Sequence, residues 1–132
     1  MDTPSTERFP KTSRLLKGNE FVPVLRRASV NITHGPLRLR ARMNRMPGAR
    51  LGLVVGKKGN RTAVRRNRIK RIIREDFRRA HGDLPAADFV FQVFAPIEDA
   101  TLRFQVRSML EKAVLAIRQD TDEQVERSGT VN

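Results

Sequence analysis

Between Lys57 and Arg79 the chain carries eleven of its 27 Lys and Arg residues against two acids, Glu75 and Asp76, yet its apolar residues keep a helical beat. Ile69, Ile72, Ile73, Phe77 and Ala80 fall at i, i+3, i+4, i+8 and i+11. At about 100° per residue they gather in a sector roughly 140° wide. Asn67, Lys70, Arg71, Arg74 and Arg78 lie on the opposite side. The segment therefore predicts a helix that must bury one stripe in a core. Its cations repel one another in the isolated chain, so the other face suits a polyanion, with nucleic acid the leading candidate.

Elements to pack against that stripe are readable on both sides of it. Leu37, Leu39, Ala41 and Met43 alternate with Arg38, Arg40, Arg42 and Asn44, which predicts a half-buried strand with one apolar and one cationic face. Met46-Pro47-Gly48 signals a turn, and Leu51 to Val55 reads as a short apolar strand. Asn60 or Thr62 is placed to cap the basic helix, and His81-Gly82 to end it. Phe89 to Phe94 predicts a further strand. From Asp99 to about Gln119, Leu102, Val106, Met109, Leu110, Ala113, Val114 and Ile117 recur at helical spacing. Near the start, Asn19 is placed to cap a short helix to Arg27, with Phe21, Val24 and Leu25 inward and Pro23 in the first turn. Residues 1–12 and 120–132 read as flexible polar tails around one domain over 13–119 that carries the candidate nucleic-acid face. A sheet covered by helices buries these faces, so the class is α+β or a two-layer α/β sandwich. If the strands flanking the basic helix are parallel, the general preference is a right-handed crossover.

The charge balance narrows the function. The 132 residues carry a net charge of +13, with 39% hydrophobic residues and no Cys. This is a folding composition with neither disulfide nor thiolate chemistry. No apolar run is long enough for a membrane span, MDTPSTERFP lacks the apolar core of a secretory signal, and a cytoplasmic location is the simplest expectation. Gly52 to Lys58 mimics a phosphate-binding loop, but its glycines are one residue too close and no Ser or Thr follows. His34 and His81 stand far apart and read as solvated loop residues rather than metal ligands. Glu75 and Asp76 are adjacent, so they diverge on a helix and do not form an acid–base pair. Glu75 is expected to pair with Arg71 or Arg79, whereas Asp76 projects awkwardly beside the apolar stripe. No catalytic constellation appears. A ribosomal or chaperone protein for structured RNA, and a DNA-binding protein, stand as rival readings of the basic helix.

Arg66-Asn67-Arg68-Ile69-Lys70-Arg71-Ile72-Ile73-Arg74-Glu75 resembles the RNR signature of the bacterial ribonuclease P protein subunit. Phe9-Pro10-Lys11, Arg14-Leu15-Leu16 and Phe21, then Arg50 to Lys58, then Asp88-Phe89-Val90 resemble the family's flanking segments in the same order. The resemblance covers about residues 9–118. It implies a mixed sheet of about four strands with three helices, and a left-handed crossover through the RNR helix, against the general preference. It also implies removal of the 5′ leader of precursor tRNA by a catalytic RNA subunit that binds magnesium, with the protein as a monomeric cofactor. By resemblance, Lys57, Lys58, Arg61, Arg65, Arg66, Asn67, Arg68, Lys70, Arg71 and Arg74 contact that RNA. Phe21 matches an aromatic position in a leader-binding cleft. Three departures stand out: Leu25 replaces a second aromatic, Pro23 lies in the first helix, and Phe94-Ala95-Pro96 replaces a segment that usually carries a basic residue.

Overall fold

A computed structural model of the chain describes the backbone of residues 15–131 and the side chains of residues 15–119. The tail expected over residues 1–12, and Phe9-Pro10-Lys11 within it, lie outside the described residues. Alternation of Leu37, Leu39 and Ala41 with arginines forms strand β2 (Leu37–Met43), in which the three apolar residues are fully buried. Met43, predicted to share that face, is the last residue of the strand and is exposed. β2 pairs antiparallel with β1 (Val30–His34) on one side and with β4 (Ala87–Val93) on the other. The alternation around Val30 was too short to stand out in the sequence, since only Val30 and Ile32 are apolar. The turn to β2 is Gly35-Pro36, and Gly35 takes φ 57°, a left-handed conformation that glycine adopts without strain.

Strand β3 (Arg50–Val55) pairs parallel with β4, placing Leu51 opposite Phe89, and the sheet order is β1-β2-β4-β3. Helix α2 (Ala63–Ala80) joins these parallel strands. Thr62, rather than Asn60, caps it, its hydroxyl accepting from Arg65 N–H at 3.1 Å. Ile69, Ile72, Ile73 and Phe77 are buried with Phe89, Phe91 and Val93, and with Leu102, Val106 and Ile117 of α3 (Asp99–Val131). The backbone of α3 runs on through the residues predicted to fray after Gln119.

The handedness of the crossover follows from chirality. An L residue on an upward strand, side chain toward the viewer, turns its own N–H and C=O to the right. Val93 faces the α2–α3 layer, and its carbonyl accepts from Gly56 N–H at 3.0 Å. Seen from that layer, β3 therefore lies to the right of β4, and the chain moves leftward from β3 through α2 to β4. The crossover is left-handed, as the resemblance implied and against the general rule. The loop out of β3 passes through Gly59 at φ 79°, where a Cβ would stand 2.3 Å from Pro96 Cδ.

The opposite face of the sheet carries helix α1 (Phe21–Arg27). Residues Leu15 and Leu16 run along the outer edge of β3, with Leu16 N–H donating to the Leu51 carbonyl at 2.8 Å. A 3-10 turn, Gly18–Glu20, leads into α1. Here Asn19 is not the cap: the Glu20 carboxylate accepts from Lys17 N–H at 2.7 Å. Pro23 falls in the first turn and is exposed. Val24 is fully buried on Leu16 and Val90, with Phe21 and Leu25 half-buried beside them. Gly52 makes room for this packing, because a Cβ there would stand 2.7 Å from Phe21 Cε1.

Candidate nucleic-acid interface

The buried stripe of α2 fixes which of its cations face outward. Lys70 is half-buried, while Asn67, Arg71 and Arg74 are exposed. Lys57, Lys58 and Arg61, in the loop before the helix, are exposed as well. Among the described residues no carboxylate is paired with Lys57, Lys58, Arg61, Lys70, Arg71 or Arg74. Their charge is therefore uncompensated among the described residues.

Three arginines of the predicted set have an internal role as well. The Arg65 and Arg68 guanidiniums both hold the Asp99 carboxylate, from Nη1 and Nε, each at 2.7 Å. Arg65 also donates to the Ile97 carbonyl. Asp99 begins α3, so this fork ties the first turns of α2 to the start of α3. It also holds the Asp99 carboxyl below its ordinary value, chiefly through the Arg65 hydrogen bond and then that of Arg68. Arg66 folds back and donates to the carbonyls of Asn60 and Arg61 at 3.0 and 2.7 Å, which stiffens the loop that presents Arg61. Arg68 remains more than half exposed and keeps its outer donors for a partner.

Both acids of the basic segment lean toward α3. Glu75 meets Arg103 at 3.5 Å rather than Arg71 or Arg79. The side chain of Asp76 is fully buried, with Arg107 and Arg79 at 3.5 and 3.8 Å. His81 is half-buried and meets the Phe77 ring edge-on at 6.2 Å rather than standing in a solvated loop. His34, at the end of β1, is exposed. Among the described residues no group of three His, Asp or Glu side chains is arranged to hold a metal ion.

The second predicted site lies across the sheet. Phe21 is half-buried, and its ring packs over Gly52. Arg50 anchors the start of α1 to the sheet, donating to Asp88 through Nε and Nη2 at 2.8 and 2.9 Å and to Glu20 through Nη1 at 2.9 Å. The Glu20 carboxyl sits below its ordinary value, first because of the Lys17 N–H and then because of Arg50. Arg40 donates to the last-turn carbonyl of Leu25 at 3.3 Å. Arg38 stacks over the Phe94 ring at 5.0 Å and donates to Thr33 at 3.3 Å. A cation thus stands beside Phe94 although Phe94-Ala95-Pro96 carries none. The cationic period of β2 was the signal for it, but only the register that places Arg38 opposite Gln92 shows where that cation lands.

Comparison with known proteins agrees with this architecture. The Ribonuclease P family model matches residues 9–118. The ribonuclease P protein component of Halorhodospira halophila is 45% identical over 94 residues, covering 71% of this chain and 77% of that protein. That of Marinobacter nauticus is 34% identical over 119 residues, covering 88% and 89%. Among solved structures, the RNase P protein of Staphylococcus aureus superimposes with TM-score 0.63 at 26% identity, over 82% of this chain and 96% of that one. The RNase P protein of Thermotoga maritima gives TM-score 0.59 at 29% identity, over 70% and 89%. No described helix is long and apolar enough to cross a membrane. Because the family match runs through every strand and both long helices of a sheet with this topology, the chain belongs to the Ribonuclease P family.

Proposed function

We propose that this chain is the protein subunit of ribonuclease P and promotes removal of the 5′ leader from precursor tRNA. Lys57, Lys58, Arg61, Asn67, Arg68, Lys70, Arg71 and Arg74 bind the catalytic RNA, with Arg65 and Arg66 holding that surface in shape. The observation that carries the reading is the division of α2: Ile69, Ile72, Ile73 and Phe77 are buried, while Lys70, Arg71 and Arg74 have no carboxylate partner among the described residues. Such cations neutralise phosphates and release counterions, so affinity falls steeply with salt. Arg71 and Arg74 also offer two-pronged donation to a phosphate, which Lys cannot supply.

On the opposite face, Phe21 contacts the single-stranded leader, and the Arg38–Phe94 pair adds a cation and a ring to the same face. Stacking and backbone charge read a single strand with little regard for its sequence. In this reading the RNA subunit carries the hydrolytic chemistry and the magnesium, and the protein acts in the cytoplasm as one copy per complex. Cleavage of a 5′-extended precursor tRNA at low magnesium tests it, comparing the protein alone, a bacterial ribonuclease P RNA alone, and both. Cleavage at the mature 5′ end only in the mixture is the expected result. Cleavage by the protein alone would place the chemistry in the protein. Tight RNA binding without stimulation would favour a ribosomal or chaperone role.

A further inference from the structure

Two successive residues at the entry to α1 meet two same-face neighbours of β3. The Phe21 ring lies over Gly52 and leaves no room there for a Cβ. Glu20, just before it, is held by Arg50, whose Nη1 donates to the carboxylate at 2.9 Å. Side chains alternate along a strand, so Arg50 and Gly52 share the face that α1 covers. The rest of the guanidinium is taken by Asp88 of β4, through Nε at 2.8 Å and Nη2 at 2.9 Å. Asp88 also accepts from Asn44 Nδ2 at 2.7 Å, and Asn44 in turn accepts from Met46 N–H at 2.9 Å. The other Glu20 oxygen accepts from Lys17 N–H. A planar guanidinium thus ties Glu20 to β4, with every oxygen of both carboxylates engaged.

The apolar contacts of α1 are few by comparison. Only Val24 of this helix is fully buried, and Phe21 and Leu25 are half-buried beside it. A seven-residue helix is too short to be stable alone, and one buried side chain does not fix where the Phe21 ring sits. Resting on the assignment of Phe21 to the leader, we propose that Arg50 and Glu20 are positioning residues of the leader site. They hold the entry to α1 against β4, so that the Phe21 ring is seated before single-stranded RNA arrives. A seat formed in advance removes an ordering cost from leader binding. Glu20 suits no direct contact with a leader, since a carboxylate repels phosphate. Arg50 directs a donor from each of its three nitrogens to a carboxylate, so it is not a free phosphate ligand. Both residues act through the ring they place.

Cleavage kinetics of the full chain assembled with a bacterial ribonuclease P RNA, protein in excess, test the clamp, with mature tRNA binding measured alongside. Glu20 is 39% exposed, so Glu20→Ala opens no cavity in the core. It should raise KM for a precursor tRNA with a leader about fivefold, the upper range for a partly exposed ion pair. Both kcat and the affinity for mature tRNA should stay as they were, the pattern of lost uniform binding. By charge alone, removing an acid beside a polyanion tightens binding, so the sign of the change separates positioning from electrostatics. Arg50→Lys should give the same loss, because an ammonium stays with the more buried Asp88 and releases Glu20. In a Phe21→Ala background, Glu20→Ala should add nothing, since the seat has lost its ring. Equal losses for precursor and mature tRNA would overturn the proposal and leave the clamp a purely structural tie. An unchanged KM in both single variants would overturn it, as would a full further loss in the Phe21→Ala background. If the unaltered complex shows no preference for a leader, or Phe21→Ala leaves that preference intact, the assignment of Phe21 fails and the positioning role fails with it.

Discussion

Gly52→Ala should unseat Phe21 without touching any charged residue. The new Cβ would stand 2.7 Å from Phe21 Cε1, 3.0 Å from Phe21 Cζ and 3.0 Å from Leu16 Cδ1. Ordinary contact begins near 3.5 Å, so the ring must retreat by several tenths of an ångström or more. Leu16 ends in a flexible side chain and can give way, but the ring moves only by turning away from the cluster of Leu16, Val24 and Val90. Overpacking of this kind costs about 1–3 kcal/mol, which for a domain of this size lowers Tm by about 4 °C per kcal/mol. Urea denaturation of Gly52→Ala, Phe21→Leu and the double variant measures it. Leucine lacks Cε1 and Cζ, so the cost of Gly52→Ala should fall to less than half in the Phe21→Leu background. An equal cost in both backgrounds would refute the clash and place the damage in the β3 backbone. In precursor tRNA assays, Gly52→Ala should weaken substrates that carry a leader while mature tRNA binds as before.

The outward face of α2 should behave differently from its fork. Arg71→Ala and Arg74→Ala should each weaken catalytic-RNA binding and lower the slope of log K against log salt by about 0.9, with unfolding midpoints unchanged; unaltered slopes would remove these residues from the interface. Asp99→Asn should lower stability by only about 0.5–1 kcal/mol, since the pairs it breaks are partly exposed. It should also leave Arg65 and Arg68 less ordered, visible as broadened side-chain NMR signals. Stability should decline as pH falls below the ordinary carboxylate range, because the folded protein holds Glu20 and Asp99 below their usual values. Their contribution is complete above the unfolded values and is lost as pH falls through the folded ones, so Asp99→Asn should show a shallower acid limb in a denaturation series. Asp76→Leu should raise stability by about 1–3 kcal/mol, because a buried carboxylate without hydrogen bonds is costly; a lower Tm would show that Arg79 and Arg107 already compensate it.

Much of the fold was legible because local periodicity and burial agree. The 3.6-residue beat from Ile69 to Phe77 and the alternation from Leu37 to Ala41 both survive as buried stripes. β1 was not legible, since two apolar residues in a short strand give little signal, and its position depends on pairing with β2. The left-handed crossover was beyond any pattern argument. It came from the resemblance, and in the structure it rests on which edge of β4 receives β3. The outward cations were legible as a face, but their division of labour was not. Arg65 and Arg66 share the periodicity of an exposed set, yet Asp99 and the carbonyls of Asn60 and Arg61 lie within reach only after α3 and the loop have packed.

That division has a physical logic. A surface of like charges gains a polyanion's affinity only if the charges are held in place before binding, because ordering long side chains at the interface costs free energy. Asp99 offsets part of the repulsion at the start of α2 by holding Arg65 and Arg68 from one carboxylate. It does so at the helix's first turns, where the macrodipole disfavours added cations most. Further along, the dipole's penalty fades, and Lys70, Arg71 and Arg74 stand without a carboxylate partner among the described residues. In the proposed function, the same helix thus carries a braced end that would fix the geometry and a stretch of cations that would supply the affinity. Loss of Asp99 should therefore slow productive docking, while loss of Arg71 or Arg74 should hasten dissociation.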